Sequence, residues 1–389
     1  MAEEGGIAIV GGGPAAHAAA AAYREAGGTL PLRILSREHE LPYERPPLTK
    51  EYLRGEMSRA DLLVDRAAWY REREVEVELG AEVTELDLAA GKARAAGDRA
   101  WSFERCLLAT GARPLAPDVP GADGPDVRLV RTIADSDQLR GLAASAVLVV
   151  GSGFIGCEAA ASLAQLGARV RMATLEASPQ VGRLGAAASS RILGWLEDLG
   201  VELLAEAALA EIDDRPGGSL ARFEDGREVA ADAVVLALGI ERNDSLAVAA
   251  GVAAEDGVLV DAAMVSSDPR LLAAGDVAAA ENSAAGRRLR VEHWGEALNM
   301  GAVAGRTLAG EAGARWAEAP GFWSAIGERR LKYAGWGDGW DEVRFAPGAG
   351  GSFVARYGRD GELVGVLAHE DDEAYEAGKR AIEGRSPWS

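Results

Sequence analysis

Among the residues that could do chemistry, one lysine stands out. Only four of the 41 basic residues are lysines (Lys50, Lys92, Lys332 and Lys379), and Lys50 closes the stretch LPYERPPLTK at 41–50. Pro46 and Pro47 restrict the backbone and favour a helix start just after them. A cation in a first helical turn opposes the macrodipole, so an anion nearby is expected to offset it. The candidate is Glu158, early in an alanine-rich helix 108 residues downstream (158 − 50). Arg45, in the same stretch, suits a pyrophosphate, where a guanidinium can bind two oxygens at once. The plain alternative for Lys50 is an exposed side chain on a solvated helix.

Two repeated elements have to position these groups. IAIVGGGPAAHAAAAAYREAG opens the chain with an apolar strand, a glycine turn (Gly11, Gly13, Ala16) and an alanine-rich helix. AVLVVGSGFIGCEAAASLAQLG at 146–167 repeats the plan with Gly151, Gly153 and Gly156. The first glycine allows the turn and the second lets a pyrophosphate approach the backbone. The third small residue lets helix and strand pack closely. Glu176 follows Gly156 by 20 residues (176 − 156), where a carboxylate accepts ribose hydroxyls of NAD and repels the 2′-phosphate of NADP. In the first module Glu38 is the ribose candidate, with Arg37 beside it. FERCLLATGARP and ADAVVLALGIER are a second echo, each an apolar strand ending in glycine (Gly111, Gly239). Two dinucleotide sites on an α/β chain are the economical reading.

DPRLLAAGDVA at 268–278 then returns a short strand, with Gly275 and Asp276, to the first module. Together with the ATG turn (Ala109, Thr110, Gly111), this order of motifs resembles the two-dinucleotide flavoprotein oxidoreductases. LPYERPPLTK, VEHWGEALNMGAVAGRTLAG and GFWSAIGERRLKYAGW narrow the resemblance to NADH-dependent ferredoxin reductases and the related apoptosis-inducing factor. The resemblance implies FAD in the first site and NADH in the second, with Asp276 on the ribityl chain. It implies Pro47 aiming Lys50 at the flavin, a Lys50–Glu158 pair beside the ring, and Trp294 against it. His293 sits there as a structural histidine, and Lys50, Glu158 and Trp294 are the expected catalytic set.

It further implies two Rossmann-like domains and a small α+β C-terminal domain. FAD binding falls to 1–114 and 241–316, NAD binding to 115–240, and the α+β domain to 317–389, trimmed relative to the family. Cys106, ending a polar turn, and Cys157 are far from C-x-x-C spacing, and no histidine has metal-ligand spacing, so neither a thiol relay nor a metal is expected. The electrons must then leave the flavin directly, and the expected acceptor is a ferredoxin-like iron–sulfur protein of an oxygenase system. Oxygen, a quinone or an NADH-sensing role are the alternatives. A net charge of −20 argues against nucleic acid or anionic membrane as partner. Arg287, Arg288 and Arg290, or Arg329, Arg330 and Lys332, are candidate docking patches for an acidic protein. A cytoplasmic monomer or homodimer is expected, since no apolar run is long enough to span a bilayer.

Overall fold

The computed structural model describes residues 5–388. Two parallel sheets dominate it. In the first, strands run Val75–Leu79, Leu32–Ser36, Gly6–Val10, Ala100–Leu108 and Leu271–Ala273 side by side. Gly6–Val10 is buried at all five positions, as a parallel strand covered on both faces must be. The far end of Ala100–Leu108 continues antiparallel to Lys92–Ala95 and Val83–Asp87. The second sheet repeats the order with Glu202–Leu204, Arg169–Ala173, Ala146–Val150, Ala233–Leu236 and Val127–Arg128. Its fifth strand comes from upstream, whereas the first sheet takes its fifth from downstream.

Helices Pro14–Glu25 and Phe154–Gln165 follow the two glycine turns. Both are rich in alanine and mostly buried, which lets them lie close to the sheets. Helix Trp294–Leu308 crosses Pro14–Glu25 on two glycines: a Cβ on Gly301 would run into the Ala15 carbonyl, and one on Gly305 into that of Ala19. The chain passes between modules through an antiparallel ribbon, Ala112–Pro114 against Ile240–Arg242. Buried Arg242 ties that ribbon to Asp256 and Glu292.

The C-terminal part is an antiparallel sheet in the order Gly321–Ile326, Arg329–Gly335, Glu362–His369, Phe353–Arg359 and Glu342–Pro347. Helix Asp372–Glu383 covers it, started by Asp371 accepting the Ala374 N–H. Among the described residues no helix is long and apolar enough to cross a membrane.

Two local expectations need correcting. The double proline starts no α-helix: Pro46–Thr49 is one 3-10 turn, and Lys50 stands at its C-terminal end. The chain goes on in further turns rather than an α-helix: the Lys50 and Tyr52 N–H groups both go back to the Pro47 carbonyl, and the Arg54 N–H to that of Lys50. The macrodipole argument for Lys50 therefore falls away, and its need for an anion comes from burial. Cys106 lies inside strand Ala100–Leu108 and not at a turn, because that apolar run begins further upstream than its polar residues suggest. Burial pushes its thiol up to about 12.

Candidate active site

Lys50 is 2% exposed and Glu158 3%, and their side chains meet with Nζ 2.7 Å from Oε2. The Thr49 hydroxyl donates to the same oxygen at 2.5 Å, and the Ser324 hydroxyl donates to Oε1 at 2.7 Å. The Trp323 ring lies 4.9 Å from the Lys50 ammonium. Thus the proline turn, the helix of the second module and the first strand of the C-terminal sheet converge on one carboxylate. A buried ion pair survives desolvation only with such further hydrogen bonds.

The glycine turns are built alike. Gly11 (φ +128°) and Gly151 (φ +106°) take backbone conformations that side chains avoid, and each presses on a carbonyl of the neighbouring strand end, Ala109 and Ala237. Ala16 and Gly156 are buried behind them. Gly13 and Gly153 have open space where a Cβ would stand, as does Gly239, whose carbonyl accepts the Leu115 N–H across the ribbon. Open space next to a helix N-terminus is where a pyrophosphate can sit.

Around the first turn the charges are already paired. Arg45 bridges to Glu38 at 2.6 Å and donates to the Tyr43 hydroxyl and the Arg131 carbonyl, while Tyr43 donates to Glu38. Burial pushes the Glu38 carboxyl up, but Arg45 and the Tyr43 hydrogen bond outweigh it, and the group stays below its ordinary range. Asp276, after Gly275, pairs with Arg131 at 3.0 Å. Thr110 and Asn243 exchange two hydrogen bonds, closing the turn before Gly111. In the second module the Glu176 carboxylate accepts the Gly182 N–H through Oε1.

His293 packs against Phe322 with ring centroids 4.5 Å apart, and Phe322 packs against Phe154 at 4.7 Å. The His293 Nδ1 and Trp294 Nε1 atoms are buried without a partner among the described residues. Buried polar atoms left unsatisfied are uncommon, and a bound molecule would complete them. With the open glycine turns, they make these residues fit two dinucleotides.

Burial, with Arg183 adding to it, pushes His293 down to about 4. Its folded-state value lies below the ordinary 6.5, so as pH falls from 6.5 towards 4 the unfolded chain takes up a proton that the folded chain refuses. Stability is lost over that window, by up to about 3 kcal/mol for this one group. His293→Gln is expected to flatten the melting temperature between pH 6.5 and 4. An unchanged pH profile would contradict the assignment.

The geometry thus brings together Lys50 and Glu158 beside the Pro47 turn, and places Asp276 beside Gly111 of the ATG turn. Sequence reasoning missed Thr49, Arg131, Phe154, Phe322, Trp323 and Ser324. Only Arg131 had a local signal, as a cation just ahead of the Thr132–Asp135 capping box. The supposed docking patch at 287–290 is largely neutralised by acids: Arg287 pairs with Asp338, Arg288 with Glu281 and Arg290 with Asp256. Lys332 pairs with Asp372.

A family model described as pyridine nucleotide-disulphide oxidoreductase matches residues 5–301. The chain is 33% identical to a ferredoxin–NAD(P)+ reductase of a Sphingomonas species, over 98% of this chain and 93% of the relative. It is 33% identical to the ferredoxin–NAD+ reductase component of the anthranilate 1,2-dioxygenase system of Burkholderia cepacia, over 92% and 89%. Among solved structures, the ferredoxin reductase for the CYP199A2 system from Rhodopseudomonas palustris superposes with a TM-score of 0.93 at 28% identity, covering 98% and 95%. The reductase in a covalent putidaredoxin reductase–putidaredoxin complex gives 0.92 at 26%, covering 99% and 94%.

Proposed function

We propose, starting from a chain that belongs to the pyridine nucleotide-disulphide oxidoreductase family, that this protein is an FAD-dependent reductase taking hydride from NADH and passing electrons to a ferredoxin-type iron–sulfur protein of an oxygenase system. The observation that carries the reading is the buried Lys50–Glu158 pair, its carboxylate on the helix that follows the second of two dinucleotide-type glycine turns, with both cysteines buried and free. The family's name implies a disulfide, but Cys106 and Cys157 sit in different modules, one in a strand and one in a helix. The chain has no C-x-x-C thiol pair to take the electrons. Relatives named as reductases of dioxygenase systems support the acceptor class.

FAD bound at the first turn would supply hydride acceptance and release of electrons one at a time. In this reading residues 1–114 and 241–316 hold it. Glu38 and Arg45 stand at the adenosine and pyrophosphate end, Asp276 at the ribityl chain, and Trp294 and Lys50 beside the ring. Residues 115–240 hold NADH, with Gly153 at its pyrophosphate and Glu176 at its ribose. Glu158 orients the nicotinamide while Lys50 pairs with that carboxylate, both side chains being buried. Residues 317–389 close the remaining side.

NADH-driven cytochrome c reduction, with and without the ferredoxin of a dioxygenase system, tests the whole reading. Strong stimulation by the ferredoxin is expected. Rapid oxygen consumption with no stimulation would move the assignment to an oxidase. A long-lived reduced protein that dimerises on NADH would move it to a sensor like apoptosis-inducing factor. At the nicotinamide module, Glu176→Ala is expected to narrow the preference for NADH over NADPH about tenfold, equivalent to about 1.4 kcal/mol. Unchanged discrimination in the kcat/KM ratio would remove Glu176 from the ribose site.

A further inference from the structure

Three consecutive residues of strand Gly321–Ile326 wall the site from the C-terminal sheet. Phe322 packs on Phe154 and His293, Trp323 stands over Lys50, and Ser324 reaches Glu158. Trp323 is 41% exposed while Ser324 is 1% exposed, so the serine hydroxyl is held in the interior next to a charge. A carboxylate offers about four acceptor positions, two on each oxygen. Among the described residues, Glu158 Oε2 receives both Thr49 and Lys50, whereas Oε1 receives Ser324 alone. Both Oε2 donors come from adjacent residues of one short turn and hold the carboxylate from one side. Ser324 comes from 166 residues away and holds it from the other.

We propose that Ser324 is a positioning residue for hydride transfer. By binding Oε1 it fixes the plane of the Glu158 carboxylate, leaving one acceptor position of that oxygen free for the nicotinamide end of NADH. The inference rests on the reductase reading above and adds to it a part played by the C-terminal sheet. That sheet then does more than close the site, because the carboxylate's orientation depends on its first strand being seated.

The test compares the FAD-loaded full chain with Ser324→Ala, Ser324→Thr and Ser324→Cys. In stopped flow, the limiting rate of flavin bleaching by NADH is expected to fall about tenfold or more in the alanine variant. The dissociation constant for NADH is expected to stay within about threefold, and threonine, which keeps the hydroxyl, to restore the rate. A second readout needs no turnover. Protein reduced with dithionite is titrated with NAD+, and the resulting change in the flavin absorbance spectrum is expected to weaken in alanine and return in threonine. Melting temperatures of the cofactor-free proteins are expected to fall modestly in the alanine variant, which loses one buried hydrogen bond to a charge, with every variant folded at the assay temperature. Parent-like rate and spectrum in the alanine variant overturn the proposal, as does a rate loss that is explained by unfolding at the assay temperature or by lost NADH binding. Should the alanine variant fail to fold, cysteine, close in size and a weak donor, takes its place in the comparison. A parent protein that holds no FAD, or is not bleached by NADH, refutes the reductase reading itself and the proposal with it.

Discussion

Lys50→Ala is expected to slow flavin reduction by NADH at least about tenfold and to destabilise the protein by about 3 kcal/mol. The cause is the Glu158 carboxylate, 3% exposed, which would lose its cationic partner and keep two hydroxyl donors. Removing one member of a buried pair commonly costs about 3–5 kcal/mol, and the retained Thr49 and Ser324 hydrogen bonds place this case at the low end. Stopped-flow reduction, melting temperature and FAD retention on gel filtration read the effect. The double variant Lys50→Ala/Glu158→Gln is expected to regain much of the stability but none of the rate, since it strands no charge and leaves no carboxylate to orient the nicotinamide. A single variant with parent-like rate and melting would remove Lys50 from the site.

The second large effect is expected at Gly301. This glycine lets helix Trp294–Leu308 sit against helix Pro14–Glu25, and a side chain there meets the Ala15 backbone, which cannot swing away as a flexible side chain could. Gly301→Val is expected to cost about 3 kcal/mol or more through overpacking, and to release FAD. The loss of cofactor follows from position. The same two helices flank Gly275, whose neighbour Asp276 is proposed to face the flavin, and Trp294 begins the displaced helix. Gly194 supplies the contrast: it lies in helix Ala186–Asp198, and nothing comes within 4 Å of the point where a Cβ would stand. Gly194→Ala is expected to raise stability by about 0.5–1 kcal/mol. Chemical denaturation of the two variants beside the parent decides the matter. A Gly301→Val protein as stable as the parent would mean the helices do not pack as described.

The doubled architecture could be read from the sequence because its signal is local. An apolar run, a glycine turn and an alanine-rich helix are written within about 20 consecutive residues, twice. The return of Leu271–Ala273 to the first sheet was legible for the same reason, in the short apolar run ending at Gly275. Lys50 was flagged by its rare residue type, but the helix-dipole setting expected for it is absent, and its pairing with Glu158 was implied by the family resemblance. Ser324 and Thr49 escaped because a hydroxyl that bonds across the fold looks like any other hydroxyl in the chain. Arginines at 287–290 misled in the opposite direction. Their acidic partners at 256, 281 and 338 are chosen by tertiary packing, so a run that looks free in sequence is neutralised in space.

The ribbon Ala112–Pro114/Ile240–Arg242 has a consequence for how such a protein can change. Pro114 lies opposite Ile240, so the two ends of the intervening segment stand a single strand spacing apart. A segment clamped at neighbouring points can be exchanged for another of similar anchorage, provided the replacement keeps Arg131 and Glu158, whose partners Asp276, Lys50 and Ser324 lie outside it. If residues 115–240 hold NADH as proposed, a chimera carrying a foreign insert between those two strands is a route to a reductase with a different electron donor.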